Sequence, residues 1–444
     1  MSLLLEKHLF RAASRLATLP KSHPLHPIIR RAKRHYVKRH PAPIHHLLHR
    51  TGIFDTQLPY ETIDVIRRRS TFEPTFSVHI PPDKQQALEE AKRRRHAYKV
   101  RVYSDGSGID GQIGAAAALY INGRIKGKLF YHLGKATDHT VYEAELVGVL
   151  LAQHLLRSIN QPFYRATIGL DNQAVILATQ NQQPKPAHYL LDAIHSESME
   201  LMKKQSRMHT PTALRQPDWQ PDDRGVFDLS IHWTPGHMDF TENEDIDGDA
   251  KTAAQGFTSP ANKLPALLRK HPLPRSLSAA RQANLADLKK RHTEQWKKSK
   301  RYTHRMKFID PTMPSPKFLK SISNLTRPQA AIITQLRTGH APLNEHLHRI
   351  KRSATPNCPH CGPGFTESVR HFLIQCRHHS RARYQMYRKL KRNAYNIEYL
   401  LQAPKAFPHV IKFIRDSNRL SNIFGDLETH PPKEQEAPNA APQQ

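Results

Sequence analysis

The sequence predicts an α/β fold over residues 98–257: a mixed five-stranded sheet with flanking helices. Three observations carry that expectation. Val100–Asp105 reads as a strand that ends on an acid, because Val100, Val102 and Tyr103 are β-formers and Gly106, Ser107 and Gly108 then break the run. Gly114–Gly134 reads as two antiparallel strands joined at Asn122-Gly123, the dipeptide favoured in two-residue hairpin turns. Beyond the hairpin, helical and strand patterns alternate as β-α-β units.

Residues 1–97 form a basic, His-rich connector in which Glu6 is the sole acid before Asp55. Leu3–Leu19 has helical apolar spacing with Arg11 and Arg15 on a polar side. Mitochondrial transit peptides share that acid-poor, amphipathic pattern, and so does an ordinary packed helix. The charge run Arg30–His40 suits a solvated stretch, a phosphate-contacting arm or a nuclear import signal. Pro59, Pro74, Pro81 and Pro82 punctuate the next stretch, which closes on the helical run Asp83–Arg95.

After the hairpin, Val141–Ile159 reads as a strong helix and Ala166–Asn172 as a short strand ending at Asp171. Residues 172–180 and 187–207 read as helices, and the polar stretch Lys203–Asp228 as a loop insertion. Phe227–His237 is a final strand running into a Pro-Gly loop, and Asp245–Gln255 another helix. Residues 258–280 are a Pro-rich, basic linker, followed by a mostly helical region, 281–426. Ala283–Lys300 reads as a charged helix there. Thr326 and Gln329 form a capping box, and Gly339 stands where that helix should stop. The tail, 427–444, is polar and Pro-rich and is expected to be disordered.

Hydrophobic content of 38% and aromatic content of 7% fit folded cores joined by solvated segments. Sixty-eight Lys and Arg against 38 Asp and Glu give a net charge of +30, which favours a polyanion, with nucleic acid as the default partner. That excess is beyond what solubility needs. No apolar run is long enough for a membrane span, so no membrane partner is expected, and no secretory signal is visible. The three cysteines cluster between Cys358 and Cys376, which is no disulfide framework and points to a reducing compartment and a metal.

Strands that end in acids place them at one edge of a sheet, where α/β proteins bind ligands. Asp105 and Asp171 meet that condition. The Val141–Ile159 helix offers Glu143 and Glu145 as a third acid. At about 100° per residue, Glu145 lies about 40° from the centre of the apolar face and Glu143 about 120° away. Glu145 is therefore expected to point at the sheet and Glu143 at solvent. Asp247 lies among Asp239, Glu242, Glu244, Asp245 and Asp249, and spacing does not choose among the six.

Five motifs occur in order: SDGS (104–107), YEAEL (142–146), LDNQA (170–174), HWTPGH (232–237) and NEDIDGDAK (243–251). Together they resemble a type 1 ribonuclease H domain, in the version found near the C-terminus of non-LTR retrotransposon polyproteins, especially fungal ones. The resemblance implies a ribonuclease H-like fold and metal-binding acids at Asp105, Glu145, Asp171 and Asp247, with a mobile histidine at His237. It also implies cleavage of the RNA strand of RNA–DNA hybrids with two Mg²⁺, or Mn²⁺ in their place. Ile246 stands where that family usually has Ala, and Asp249 is an additional acid. No Tyr-x-Asp-Asp polymerase motif is present. Two other classes remain open at this point: a non-catalytic nucleic-acid-binding retroelement remnant, and a DNA-strand-transferring enzyme of related fold.

Cys358-x2-Cys361-x9-His371-x4-Cys376 has the donor types of a closed, tetrahedral Zn²⁺ site. His360, His378 and His379 are alternatives for the fourth ligand, and three reduced core cysteines are the plainer alternative. The segment Thr366–Cys376 resembles the cysteine-histidine segment that follows the ribonuclease H domain in the same retrotransposon proteins. Arg370, Arg377, Arg381 and Arg383 surround it, as phosphate contact would require.

Overall fold

A computed structural model describes residues 2–35, 37–55, 58–64, 73–180, 183–216, 219–220, 227–236, 238–269, 272–312, 315–425 and 427. His237 and the tail beyond 427, both subjects of expectations above, lie outside the described residues. The chain divides into two compact units, Met1–Leu288 and Lys289–Gln444.

The first unit opens with α1 (Ser2–Ala17), α2 (His26–Arg34) and α3 (Pro43–Arg50), packed about Ile29, Ala32 and Leu48. Then come β1 (Ser77–His79), α4 (Lys84–Ala97), β2 (Val100–Ile109), β3 (Gln112–Ile121), β4 (Arg124–Lys135) and α5 (Val141–Ser158). β5 (Arg165–Leu170), α6 (Gln173–Gln180), α7 (His188–His209), β6 (Asp228–Trp233), α8 (Thr241–Ala254) and α9 (Ala266–Arg269) follow, and α10 (Leu277–Lys297) runs across the division.

Among the described residues the sheet has six strands, in the order β1-β6-β5-β2-β3-β4. β3 pairs antiparallel with both β2 and β4, while β5, β6 and β1 run parallel to β2. The sixth strand, absent from the sequence reading, is β1, whose three residues pair with Ser230–His232. So short a strand between Pro74 and Pro81 shows no alternation to read. The hairpin turn forms at Asn122 and Gly123, with φ of 50° and 78°, the left-handed pair that such a turn needs.

Both sheet faces are covered, so β2 and β3 are buried nearly throughout. Val100, Val102, Ala115, Ala117 and Leu119 share the core with Leu146, Val149 and Leu150 of α5. Tyr103, Ala116, Ala118 and Tyr120 pack on the other face with Phe240, Ile246 and Ala250. Truncating a fully buried leucine such as Leu150 to alanine costs about 2–5 kcal/mol.

Four expectations need correction. β2 does not stop at Asp105 but continues to Ile109, because β3 keeps pairing with it from Asp105↔Ala116 to Ile109↔Gln112. Glu143 is fully buried, because its side chain closes a capping box with Thr140, accepting from the Thr140 amide at 2.8 Å. α8 begins at Thr241 and not at Asp245, so Asp247 lies in its second turn. α7 extends to His209, so Lys203–His209 is helix and not insertion loop.

The second unit is mostly helical: α11 (Lys307–Ile309), α12 (Lys317–Ser321), α13 (Arg327–Thr338) and α14 (Asn344–Arg349) precede a small hairpin. That hairpin pairs β7 (Asn357–Cys358) with β8 (Gly362–Thr366), and α15 (Ser380–Leu390), α16 (Ile397–Gln402), α17 (Phe407–Ser417) and α18 (Ser421–Phe424) follow. The α13 capping box of Thr326 and Gln329 is present, and Gly339 ends the helix at φ 74°. Ile332, Leu336, Phe372, Leu401, Phe407 and Phe413 form the core. Among the described residues no helix is long and apolar enough to cross a membrane.

Candidate functional site

Strand register brings the first two acids together. Tyr103 on β2 lies opposite Gly169 on the parallel β5, so two residues further on Asp105 and Asp171 stand level at the sheet edge. Asp171 directly follows β5 and is pinned there. The Thr234 amide donates to the Leu170 carbonyl at 2.8 Å, and the Trp233 indole N–H donates to the Asp171 carbonyl at 3.0 Å. A Cβ at Gly236 would stand 2.8 Å from Asp171 Oδ2, so the Pro-Gly loop leaves that oxygen its space.

Glu145 comes from the first turns of α5, and two glycines let that helix approach. A Cβ on Gly106 would fall 2.3 Å from the Glu145 backbone nitrogen. One on Gly148 would lie 3.2 Å from the Asp105 carbonyl oxygen. As a result, one carboxylate oxygen from each of Asp105, Glu145 and Asp171 lies within 4.8 Å of the others.

These are like charges in a dry place. Burial, and then the charges of Asp171 and Asp247, push the Asp105 carboxyl up to about 7. Burial, and then Asp105 and Asp171, hold Glu145 well above the usual carboxylate range, against hydrogen bonds from Asn172 and the Gly106 amide. The Asn172 contact is 3.4 Å. Glu145 Oε2 is buried with no hydrogen-bond partner, a state that costs about 1–3 kcal/mol or more for a charged group. A divalent cation would offset both the repulsion and the orphaned oxygen. An all-oxygen donor set selects a hard ion such as Mg²⁺ or Mn²⁺, so these residues fit such an ion.

Asp247 is not among the three acids that meet. Its carboxylate takes a hydrogen bond from Lys251 Nζ at 2.6 Å, although it lies close enough to raise Asp105. Partners also sort its neighbours: Glu242 pairs with Arg95 at 2.8 Å, and Asp249 with Lys128 at 2.6 Å. Sequence reading missed Asn172, Lys251 and Gly148, each of which adjoins the acids. It also missed Glu61, a buried acid that accepts from the amides of Ala187 and Leu277 and that burial pushes up to about 7. Asn172 follows Asp171 within the LDNQA motif, which is the signal for it; Glu61 lies in a proline-punctuated stretch with no period to mark it.

In the second unit, one ligand atom from each of Cys358, Cys361, His371 and Cys376 lies within 4.8 Å of the others. Cys376 Sγ is 3.8 Å from Cys358 Sγ and 3.7 Å from Cys361 Sγ. A tetrahedron with metal–sulfur bonds of about 2.3 Å has edges of about 3.8 Å, whereas a disulfide needs about 2.05 Å. His371 Nε2 is buried without a hydrogen-bond partner, so the set fits a thiophilic ion. His360 and His378 instead stack on each other at 3.7 Å, and His379 lies against the Phe372 ring. Arg383 departs from its expected role. It is buried and donates to the carbonyls of Leu373 (3.0 Å) and Cys376 (2.7 Å), bracing the ligand loop and not facing phosphate.

Neither a protein-family model nor a curated protein matches the sequence. Among solved structures, the chain is similar to the RNase H1 of the halophilic archaeon Halobacterium salinarum NRC-1, at 16% identity and a TM-score of 0.24. That likeness covers 36% of this chain and 98% of the other. It is also similar to the N-terminal RNase H domain of Rv2228c from Mycobacterium tuberculosis, solved as a fusion with maltose-binding protein. Identity there is 15%, coverage 35% and 97%, and TM-score 0.24.

Proposed function

We propose that this chain is a retrotransposon-derived, metal-dependent endonuclease that hydrolyses the RNA strand of RNA–DNA hybrids. The observation that carries the reading is the meeting of Asp105, Glu145 and Asp171 in a buried cluster with one Glu145 oxygen unpartnered. These three acids and Asp247 would hold two Mg²⁺, with Mn²⁺ able to replace them. Bound there, such ions neutralise charge at a phosphodiester and make water nucleophilic near neutral pH, together worth several kcal/mol of barrier.

The chain's own residues do the rest. Burial keeps water from competing for Asp105 and Glu145, and Asn172 orients the Glu145 carboxylate through its amide. Lys251 holds Asp247 beside the cluster through a 2.6 Å ion pair. His237, the mobile histidine of the resemblance, would shuttle a proton or help product leave, as an imidazole can near neutral pH. The net charge of +30 draws the polyanionic substrate in. Preference for RNA comes with the ribonuclease H resemblance, where contacts to 2′-hydroxyls separate RNA from DNA. In the second unit, Cys358, Cys361, His371 and Cys376 would hold a structural Zn²⁺.

The test is incubation of an end-labelled RNA–DNA hybrid with the full chain and Mg²⁺. The expected result is cleavage of the RNA strand alone, reduced on the order of 10³-fold by Asp105→Asn. A folded protein that binds the hybrid and leaves it intact would replace this reading with that of a non-catalytic remnant. Cutting of duplex DNA would point to the strand-transferring class.

A further inference from the structure

We propose that the exposed side of α15 in the second unit is a separate binding surface for single-stranded nucleic acid, independent of the carboxylate cluster. Between Ser368 and Asn396 the chain has eight Lys and Arg and no Asp or Glu. α15 buries Ala382, Arg383 and Met386 against the unit's core. Arg381, Tyr384 and Arg388, spaced i, i+3 and i+7, share the opposite, solvent-facing side. Arg377 before the helix and Lys389, Lys391 and Arg392 at its end are exposed as well.

Folding gives no reason for these cations. Among the described residues, none of Arg377, Arg381, Arg388, Lys389, Lys391 and Arg392 has an ion pair or a side-chain hydrogen bond. Arg381 sits in the first turn, where a cation opposes the helix dipole. No acid lies three or four residues away on the helix to compensate. Six uncompensated cations on one short stretch cost stability and are balanced by a polyanion from outside.

The rings point to a strand whose bases are free. Tyr384 is 60% exposed, Tyr395 54% and Phe365, on β8 beside the cysteines, 53%. His360 and His378 form a parallel stack at 3.7 Å with an interplanar angle of 4°, and His378 is the chain neighbour of Arg377. Cations interleaved with exposed rings suit a single strand, because each stacked base contributes about 1–3 kcal/mol and a duplex hides its base faces. Arg383 joins this helix to the ligand loop through the Cys376 carbonyl.

The test uses the full chain carrying Asp105→Asn, so that no probe is cut, and a fluorescein-labelled uridine oligonucleotide of roughly 20 nucleotides. Adding Arg381→Ala, Tyr384→Ala and Arg388→Ala together is expected to weaken its binding at least tenfold by anisotropy. The slope of log affinity against log salt should fall by about 1.4, or about 0.7 for each of two lost phosphate contacts. Binding of an RNA–DNA hybrid of the same length should change less than about threefold. All three positions are exposed, and an unchanged thermal melt shows that the variant is folded. Unaltered single-strand binding overturns the proposal, and so does an equal loss for strand and hybrid.

Discussion

The carboxylate cluster gathers Asp105 from β2, Asp171 from just past β5 and Glu145 from α5, up to 66 residues apart in sequence (171 − 105). The cysteine-histidine cluster takes all four members from the 19 residues between Cys358 and Cys376 inclusive. The first is held by a whole domain: β2, β5 and α5 are fixed by the core, and that core forces like charges together at a local cost. The second sits on short elements, a two-residue strand, a five-residue strand and one irregular helical turn, held by Phe372 and Leu373 in the core of the second unit and by Arg383. One site is thus a strain that the fold tolerates, and the other, with the proposed Zn²⁺ bound, would be a clamp on which local folding depends. Metal should act on them in different ways.

The largest expected effect is on the clamp. Structural zinc sites contribute apparent free energies of roughly 10–16 kcal/mol near neutral pH. Chelation, or Cys376→Ser, should therefore abolish the amide-exchange protection of Phe372–Cys376 while the β2–β3 ladder stays protected. Unchanged protection after chelation would remove the distinction between the sites. Next comes chemistry at the strained site. Glu145→Gln should lower hybrid cleavage on the order of 10³-fold, yet raise the metal-free melting temperature of the first unit, because the cost of burying an ionisable carboxyl beside Asp105 and Asp171 is gone. A lower melt would show that Glu145 is stabilising and the cluster unstrained.

A smaller effect is expected at Gly106. Alanine there drives Cβ into the α5 backbone beside Glu145. It should cost about 1–3 kcal/mol, read from the denaturation midpoint, and should slow cleavage as well. A stable, fully active Gly106→Ala protein would mean that the helix is not held where it is described. The gentlest probe is pH without metal. Asp105 in the folded state holds its proton up to about 7, whereas the unfolded chain releases it near 3.8. The native state binds more protons in that window, so metal-free stability should fall as pH rises from about 4 to about 7. Asp105→Asn should flatten that slope, and a rising stability would reverse the assignment.

Much of this arrangement is written locally in the sequence. Asn122-Gly123 marked the hairpin, and Thr326, Gln329 and Gly339 marked the ends of α13. The lean of Glu145 toward the apolar side of its helix separated it from Glu143. What failed was context. Gly106 and Gly108 look like strand breakers, but β3 keeps β2 straight through them and Gly106 serves the approach of α5. Glu143 looked solvated by periodicity, although Thr140 three residues earlier was a readable capping signal. Of the six acids around α8, three are sorted by their partners: Glu242 by Arg95 and Asp249 by Lys128, both on other elements, and Asp247 by Lys251 of the same helix. Cysteine spacing foretold the second cluster, whereas nothing in the run Arg377–Arg383 showed that Arg383 alone turns inward.

The most direct test of the central claim is crystallographic. Crystals of the full chain soaked in Mn²⁺ should show an anomalous peak bounded by the carboxylates of Asp105, Glu145 and Asp171, and crystals of Glu145→Gln should show it weakened. A native map with no peak among those three carboxylates would contradict the account.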